Sequence, residues 1–339
     1  MPNKPILTVR NLTTRLQIGN QPVAVVDDLS FDLFPGKTLA LVGESGCGKS
    51  LTALSLLRLL PTPPALPSTG EVIYNEINLL SLTEKEMRRI RGKKISMIFQ
   101  DPSSALNPVY TIGSQLMEIV GLHLNLYGEE AFARTIELLT EVGIPSPKER
   151  FLDYPHQLSG GMRQRVMIAM ALISEPDILI ADEPTTALDV TIQGQILTLI
   201  RSIQQKRGMA VLLITHDMGI VSEIADDVIV MYAAQAVESA DVITLFDQMS
   251  HPYTQGLFAS SPSRHKSKEH LYSIKGTVPP PSLFPSGCHF HPRCPYAMER
   301  CKQVSPPEFK IGTNQQHYAK CWLYDGSEES SEKLRKGAL

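Results

Sequence analysis

The sequence predicts an α/β fold in which a mainly parallel sheet is covered by helices. Several short apolar runs have the length and content of buried strands: Thr38–Val42, Ile95–Phe99, Ile178–Ala181 and Ala210–Thr215. Segments with helical spacing lie between them, at Lys49–Leu60, 112–142 and 161–173. Because strands alternate with helices along the chain, a helix-covered parallel sheet is the expected architecture.

Three further stretches complete the predicted organisation. Residues 6–18 and 23–34 alternate apolar and polar side chains, as half-buried strands do. The stretch 61–68 carries four prolines and is predicted to be a loop. The roughly 60 residues after Gln100 are nearly all helical in pattern, which indicates an inserted helical subdomain.

Composition excludes several classes of protein. The chain has 339 residues and a net charge of −3, so it has no general bias towards nucleic acid or anionic lipid. No apolar run approaches the roughly 20 residues that a membrane-spanning helix needs. The first residues lack the apolar core of a secretory signal, so we expect a cytosolic protein whose membrane role depends on partners.

A phosphate-binding loop follows the first buried strand. The segment GESGCGKS from Gly43 to Ser50 fits G-x-x-x-x-G-K-S/T between a strand and a helix. Its glycines let successive N–H groups point inward, Lys49 would reach the β- and γ-phosphates, and Ser50 would bind Mg²⁺. Cys47 is read as a loop filler, with a reactive thiol as the alternative. The residues expected to surround the phosphates are Gly43, Glu44, Ser45, Gly46, Cys47, Gly48, Lys49, Ser50 and Leu51.

Two acids follow the buried strand at Ile178–Ala181. Asp182 would enter the Mg²⁺ shell, and Glu183 would polarise the attacking water. Without the upstream phosphate loop, four apolar residues before two acids would more often be a strand that meets a surface turn. Together the two motifs predict hydrolysis of a nucleotide.

The segment LSGGMRQR from Leu158 to Arg165 resembles the signature of ABC ATPases. Gln100 in MIFQDP, Ala187 to Asp189 in TTALDV and His216 in LLITHD match the other family motifs in order. The resemblance covers about residues 6–240. It implies a P-loop NTPase with a RecA-like core, an antiparallel β subdomain and a helical subdomain at about 101–165.

The resemblance also implies a head-to-tail dimer of two cassettes. Ser159, Gly160 and Gly161 open a helix, and this anion site would close over the γ-phosphate held by a second ABC ATPase subunit. Gln100 would help to hold Mg²⁺ and link it to the helical subdomain, His216 would contact the γ-phosphate, and Asp189 would lie on the dimer seam. ATP and Mg²⁺ are the implied cofactors.

Two positions depart from the usual family pattern. Met162 stands where many family members have Gln. Residues 1–30 contain no Phe, Tyr or Trp, whereas the family usually stacks adenine on an aromatic side chain there. Leu16 is the residue that we expect against the base.

The C-terminal part resembles the extension of dipeptide and oligopeptide importer ATPases, in particular their D-type subunits. The matching features are HPYTQGL from His251 to Leu257 and the cysteines that follow. The predicted domains are a cassette at 1–247, an extension at 248–325 that is loop-rich and separate, and a disordered tail at 326–339. Family members with this extension import peptides or, alternatively, nickel and other small solutes.

Four cysteines stand in the extension: Cys288, Cys294, Cys301 and Cys321. In a reducing compartment such a group favours a metal over disulfides. By resemblance the group would hold a 4Fe–4S cluster. Because His289 and His291 could complete a mixed site, zinc stays open, as do unliganded thiols or a disulfide.

The resulting hypothesis is an importer ATPase at the cytoplasmic face of the inner membrane. Its partners would be two integral-membrane permeases, an external substrate-binding protein and a different second ATPase, although a homodimer is also possible; nucleic acid is not expected. A soluble ABC ATPase that acts on ribosomes or DNA is the alternative. Since over 70 residues separate His216 from Cys288, loss of the cysteine group is expected to leave nucleotide binding intact.

Overall fold

The computed structural model describes residues 4–186, 188–260, 273–312 and 316–336. They form two compact units. The first unit comprises residues 4–6, Leu33–Lys37 and Ser81–Leu213. The second comprises Leu7–Asp32, Thr38–Leu80 and the described residues from Ile214 onwards.

The strands and helices follow one another along the described chain as the alternating pattern predicts. The strands are β1 (Leu7–Ile18), β2 (Gln21–Leu33), β3 (Thr38–Val42), β4 (Thr69–Tyr74), β5 (Ile77–Asn78), β6 (Ile95–Ile98), β7 (Ile178–Asp182), β8 (Ala210–Thr215), β9 (Asp227–Tyr232), β10 (Gln235–Asp241), β11 (Phe309–Lys310) and β12 (Tyr318–Ala319). The helices are α1 (Lys49–Leu56), α2 (Glu84–Ile90), α3 (Pro102–Ala105), α4 (Ile112–Leu124), α5 (Gly128–Glu141), α6 (Pro147–Arg150), α7 (Gly160–Leu172), α8 (Val190–Arg207), α9 (Met218–Ile224), α10 (Val242–Asp247), α11 (Pro252–Ala259), α12 (Glu299–Gln303) and α13 (Glu328–Lys336).

The first unit contains a parallel sheet edge and the helical insertion. Strands β8, β7 and β6 lie in that order, and β6 pairs with β7 in parallel from Ile95↔Ile178 to Ile98↔Ala181. Every residue of β7 is buried, because helices cover parallel sheets on both faces. Helices α3 to α6 and the first part of α7 fill residues 101–165, where the sequence predicts a helical subdomain.

The second unit contains two sheets. Strands β2, β1, β4 and β5 form an antiparallel sheet, as the period-two alternation of β1 and β2 predicts. The other sheet has the order β11-β12-β10-β9-β3, in which β3 and β9 are parallel and the remaining pairs antiparallel. Strand β3 is buried throughout and delivers the chain into the phosphate-binding loop.

Two predicted helices have different bounds in the structure. The helix expected at Lys49–Leu60 ends at Leu56, and Arg58 then takes a left-handed backbone conformation (φ 52°) just ahead of the proline-rich loop. The helical stretch expected at 112–142 is two helices, because Asn125 caps α4 in the left-handed conformation (φ 56°).

The C-terminal residues also differ from expectation. The extension is not a separate loop-rich module, because β12 adds to the sheet of the second unit by pairing with β10 at Glu238↔Ala319. Its rings continue the core: Tyr253 and Phe290 lie 4.7 and 5.1 Å from the Tyr232 ring. The extension thus shares the core of the sheet that contains β3 and β9.

The stretch predicted to be disordered, 326–339, contains helix α13, while residues 337–339 lie outside the described part of the chain. The hydroxyl of Ser330 is buried and donates to the Trp322 carbonyl at 2.7 Å. This bond ties the first turn of α13 to the extension, which composition alone does not reveal.

Candidate functional site

The phosphate-binding loop joins β3 to α1 and is shaped by glycines. Gly48 stands at the N-cap of α1 with φ 109°, and a Cβ there would collide with the Val25 carbonyl. Gly43 has φ 153°, and a Cβ there would collide with the Met231 carbonyl. Both positions therefore need glycine, and the predicted cradle lies at the N-terminus of α1. Ser50 and Leu51 lie in the first turn of α1.

Lys49 lies inside this loop. Its side chain is buried (5% exposed), and Nζ donates to the carbonyls of Gly43 at 2.7 Å and Glu44 at 3.1 Å. An ammonium group held by two neutral carbonyls keeps its full positive charge for an anionic ligand. The loop therefore presents a cation and helix N–H groups to the same region.

Cys47 is fully buried within the loop, and burial raises the pKa of its thiol. A reactive cysteine needs a lowered pKa and access to solvent. This observation favours the interpretation of Cys47 as a loop filler.

A cavity of about 640 Å³ in the second unit lies beside the loop. Glu44, Ser45 and His216 line it together. His216 follows β8 and is exposed, and the next residue, Asp217, caps α9 by accepting from the Gly219 N–H at 2.7 Å. The structure thus brings the predicted γ-phosphate histidine to the cavity that Glu44 and Ser45 of the loop also line.

Leu16, the expected adenine contact, lies near the end of β1 and is half-buried. It bridges to Ala65, and the neighbouring Gln17 N–H donates to the Pro64 carbonyl at 2.8 Å. The proline-rich loop therefore holds this end of β1 in place.

The two acids of the first unit stand at the end of β7. Asp182 is 4% exposed, and Glu183 takes a left-handed backbone conformation with φ 45°. This conformation is costly for a residue with a side chain and tends to occur at functional sites. The Glu183 Oε2 accepts from Gln100 Nε2 at 2.9 Å and from Thr186 Oγ1 at 2.8 Å.

These bonds bring the predicted Gln100 and Glu183 together and add one residue, Thr186, that the sequence reasoning missed. The signal for Thr186 was its place three residues after Glu183 in a turn, where a hydroxyl reaches back to the acid. Both of these donors are neutral side chains, and they fix the direction in which the Glu183 carboxylate points.

The signature segment opens helix α7 as predicted. Ser159 is the N-cap, and its hydroxyl accepts from the Met162 N–H at 3.3 Å. Gly160 and Gly161 form the first turn, and a Cβ at Gly161 would press on Ile192 of α8 at 3.0 Å. The N-terminal end of this 13-residue helix therefore carries only small residues, which leave room for an anion next to its backbone N–H groups.

Asp189 caps the neighbouring helix α8 by accepting from the Ile192 N–H at 2.9 Å. Ala187, which belongs to the same predicted motif, lies outside the described residues. Asp189 therefore caps a helix in this structure, in addition to the role at a dimer seam that the sequence predicts.

Comparisons with known families cover both parts of the chain. The family described as ABC transporter matches residues 26–186, and the family described as oligopeptide/dipeptide transporter, C-terminal region, matches residues 237–301. The dipeptide transport ATP-binding protein DppD of Bacillus subtilis (strain 168) is 49% identical over 322 residues, which are 94% of this chain and 95% of that protein.

The chain belongs to the ABC transporter family of ATP-binding subunits. It is an ATPase, for which ATP and Mg²⁺ are the expected ligands. The oligopeptide transport ATP-binding protein AppD of the same bacterium is 47% identical over 96% of this chain and 99% of its own length.

Solved structures confirm the ABC cassette fold. A dimeric post-hydrolysis state of the ATP-binding cassette MJ0796 with ADP and Pi has a TM-score of 0.62 and 26% identity, covering 70% of this chain and 98% of that one. The cbiO1 structure from Clostridium perfringens, part of the transporter complex cbiONQ, has a TM-score of 0.61 and 25% identity over 72% of this chain and 91% of that one. Among the described helices, none combines the length and apolar content that crossing a bilayer requires.

The extension of this ABC subunit contacts the phosphate-binding loop directly. Tyr253 of α11 is buried, and its hydroxyl accepts from the Glu44 N–H at 2.8 Å. Arg293 donates to both oxygens of the Glu44 carboxylate, at 2.7 and 3.0 Å. Sequence reasoning missed these two residues, although Tyr253 stands in the quoted HPYTQGL motif and Arg293 precedes Cys294.

The four cysteines of the extension line one small cavity, together with His251 and His291. Burial is the main cause that raises the pKa of Cys288 to about 11 and of Cys294 to about 12, and it raises the pKa of Cys321 as well. Burial lowers the pKa of His251 to about 4, so this imidazole is neutral at pH 7.

Metal binding at this cavity is not supported by the side-chain arrangement. In the described ranges of the chain, no three His, Cys, Asp or Glu side chains are arranged to hold a metal ion. The donor set itself consists of four thiols that line one cavity, and cysteine thiolates are the usual ligands of iron–sulfur clusters. These thiols would have to lose their protons on ligation, so ligation would be coupled to proton release.

Proposed function

We propose that this chain is the ATP-hydrolysing subunit of a bacterial importer of dipeptides and oligopeptides. The observation that carries the proposal is the near full-length similarity to DppD, which spans the cassette and the extension together. A cassette alone would indicate transport in general. The oligopeptide/dipeptide C-terminal region, together with the names of the relatives DppD and AppD, favours peptides over nickel as the cargo.

Within the ATP site, we assign phosphate binding to the loop from Gly43 to Leu51. Lys49 reaches the β- and γ-phosphates, and His216 contacts the γ-phosphate from the cavity that Glu44 and Ser45 also line. Ser50, Gln100 and Asp182 are the residues that would hold Mg²⁺, which would neutralise phosphate charge. Glu183 orients water and accepts its proton, and the bonds from Gln100 and Thr186 aim its carboxylate.

A second ABC ATPase subunit completes each site in this proposal. The N-terminal end of α7, at Ser159, Gly160 and Gly161, offers backbone N–H groups to a γ-phosphate bound by the other subunit. Asp189 lies at the seam between the subunits. The dimeric MJ0796 cassette, of the same fold, supports this arrangement, and we favour a different ATPase as the partner.

The remaining partners follow from the transport function. Two permeases would supply the membrane path, and an external binding protein would deliver the peptide. The ATPase would lie peripherally at the cytoplasmic face of the inner membrane. Leu16 would contact the adenine from the end of β1.

For the cysteine group we propose a 4Fe–4S cluster with Cys288, Cys294, Cys301 and Cys321 as ligands. The support is their common cavity, in which Cys301 and Cys321 are buried and Cys288 and Cys294 are half-buried. Cluster binding would stabilise the extension. Metal analysis of anaerobically purified protein distinguishes the two kinds of site: iron supports the cluster, and stoichiometric zinc without iron supports a zinc site.

The transport proposal is tested by reconstitution. The chain, its candidate ATPase partner and the permeases are incorporated into liposomes with the binding protein. ATP hydrolysis should rise when the binding protein carries a peptide and should stay low with nickel or with the binding protein alone. Equal stimulation without peptide would contradict peptide import. The chain by itself should be weakly active, so hydrolysis strictly proportional to dilute chain concentration would contradict the shared site.

A further inference from the structure

A buried arginine of the extension, Arg293, forms an ion pair with the carboxylate of Glu44 in the phosphate-binding loop. The Arg293 side chain is 7% exposed, and its two terminal nitrogens grip both oxygens of Glu44. This bidentate geometry is the strongest form of ion pair between these residue types. Arg293 and Glu44 are 249 positions apart in sequence, so the pair joins the C-terminal extension to the phosphate-binding loop within the second unit.

Arg293 is held in this place by the extension itself. Its Nε donates to the Lys275 carbonyl at 2.9 Å, and Nη2 donates to the Gly276 carbonyl at 3.1 Å. The guanidinium also faces the rings of Tyr232 at 5.7 Å and Phe290 at 6.0 Å. A side chain with this many partners keeps its position whether or not the loop is occupied.

Glu44 is held at its backbone as well as at its side chain. Its N–H donates to the hydroxyl of buried Tyr253 at 2.8 Å. One residue further along, the loop enters the cavity that Ser45 and His216 line. An unpaired carboxylate at this point would repel a triphosphate and lower the affinity of the loop for it.

A second connection runs from the extension to the other side of the loop. The Nδ1 of His289 donates to the Ala233 carbonyl at 2.8 Å, and the Ala234 N–H donates to the Cys47 carbonyl at 2.9 Å. His289 thus supports the loop indirectly, through the backbone of Ala233 and Ala234.

We propose that Arg293 is a positioning residue of the ATP site. It neutralises Glu44 and fixes the entrance of the phosphate-binding loop, so the affinity for ATP depends on the C-terminal extension. The inference rests on the proposed function, in which this loop binds ATP.

The test measures the dissociation constant of full-length chain for a fluorescent ATP analogue with Mg²⁺. Arg293→Met leaves the Glu44 carboxylate unpaired and should weaken binding by roughly ten-fold, the size expected for an uncompensated charge several ångströms from phosphate. Glu44→Gln combined with Arg293→Met removes both charges and should recover affinity to within about three-fold of the original chain. Arg293→Lys keeps the positive charge but loses the bidentate geometry, so its dissociation constant should lie between those of Arg293→Met and the original chain.

Arg300→Met is the matched control. Arg300 belongs to the same extension, lies over the Trp322 ring at 3.5 Å and pairs with Asp325, but it has no contact with the loop among its described partners. It should bind the analogue like the original chain. Thermal unfolding of every variant shows whether the fold is kept.

Two results would overturn the inference. Arg293→Met could bind as tightly as the original chain, or the double variant could remain as weak as Arg293→Met, which would mean that Arg293 supports the fold without neutralising Glu44. Failure of the proposed function looks different: the original chain would bind no analogue, or Lys49→Ala would bind as well as the original chain.

Discussion

The acid cluster of the first unit and the phosphate loop of the second are held by different parts of the chain. Glu183 takes its partners from nearby elements of the same unit, the neutral side chains of Gln100 and Thr186. The phosphate loop instead takes an ion pair and a buried hydroxyl from the C-terminal extension, through Arg293 and Tyr253. Glu183 is thus positioned by side chains of its own unit, whereas the phosphate-binding loop is positioned by residues about 200 or more positions later in the sequence.

This difference separates two kinds of defect. Changes near Glu183 should affect the rate of hydrolysis and leave ATP binding intact, because the bonds described for its carboxylate go to Gln100 and Thr186, which lie outside the phosphate-binding loop. Changes at Arg293 and Tyr253, the extension residues that bond to Glu44, should affect the dissociation constant for ATP first.

The largest effect is expected at Glu183. Glu183→Gln removes the carboxylate that accepts a proton from water, so hydrolysis in the assembled transporter should fall by roughly 10²–10⁴-fold. The ATP dissociation constant should change by less than about three-fold, because phosphate contacts are kept. Phosphate release measures the first quantity, and equilibrium binding of the ATP analogue measures the second.

Glu137→Gln serves as the control, since Glu137 is an exposed acid of the same unit that pairs with Arg134. It should hydrolyse ATP like the original chain. If Glu183→Gln kept most of the hydrolysis rate, Glu183 would not be the base.

The cysteine group should show the dependence of the loop on the extension. Cys294→Ser should abolish iron binding in anaerobic protein, because a cubane cluster needs all of its thiolates. Since Arg293 is the chain neighbour of Cys294, ATP affinity should also fall, towards the value of Arg293→Met. Metal analysis and analogue binding on the same preparation measure both effects.

Cys47→Ala is the comparison for iron content, because Cys47 lies outside the cysteine cavity. It should keep the full iron content. Stoichiometric zinc in anaerobic protein would replace the iron–sulfur proposal, and unchanged ATP affinity in iron-free Cys294→Ser would contradict the dependence on the extension.

Local motifs made most of the site predictable from sequence. The spacing of Gly43, Gly48 and Lys49 indicates the phosphate loop, and the cap at Ser159 indicates the start of α7. The carbonyls of Val25 and Met231, which exclude a side chain at Gly48 and Gly43, come from distant parts of the chain and are seen only in the structure. The pairing of Arg293 with Glu44 joins residues that no spacing rule relates. Because the extension joins the same sheet, we expect loss of the cysteine group to weaken nucleotide binding, whereas the distance in sequence predicts no effect, and the Cys294→Ser measurement decides between the two.

A smaller effect is expected at Tyr253. Tyr253→Phe removes the hydroxyl that accepts the Glu44 N–H and should weaken ATP binding by roughly three- to ten-fold, or about 0.5–1.5 kcal/mol. Tyr324→Phe is the control, because its hydroxyl donates to the Ser250 carbonyl at 2.9 Å within the same extension. Both variants should lose some thermal stability, but only Tyr253→Phe should lose affinity for ATP. Equal ATP affinity in the two variants would remove Tyr253 from the support of the loop.

The smallest effect is expected at Leu16, which tests whether the end of β1 meets the base. Leu16→Tyr should tighten ATP binding by about 0.5–1.5 kcal/mol, since an aromatic ring gains stacking energy that an aliphatic side chain lacks. Ile18→Tyr is the control, because Ile18 is an exposed residue of the same strand two positions away. The gain should be present for ATP and absent for triphosphate without a base, measured by competition against the fluorescent analogue. If Leu16→Tyr and Ile18→Tyr bind ATP alike, the base is held by another residue, and the phosphate loop with its extension contacts provides the main binding energy within this chain.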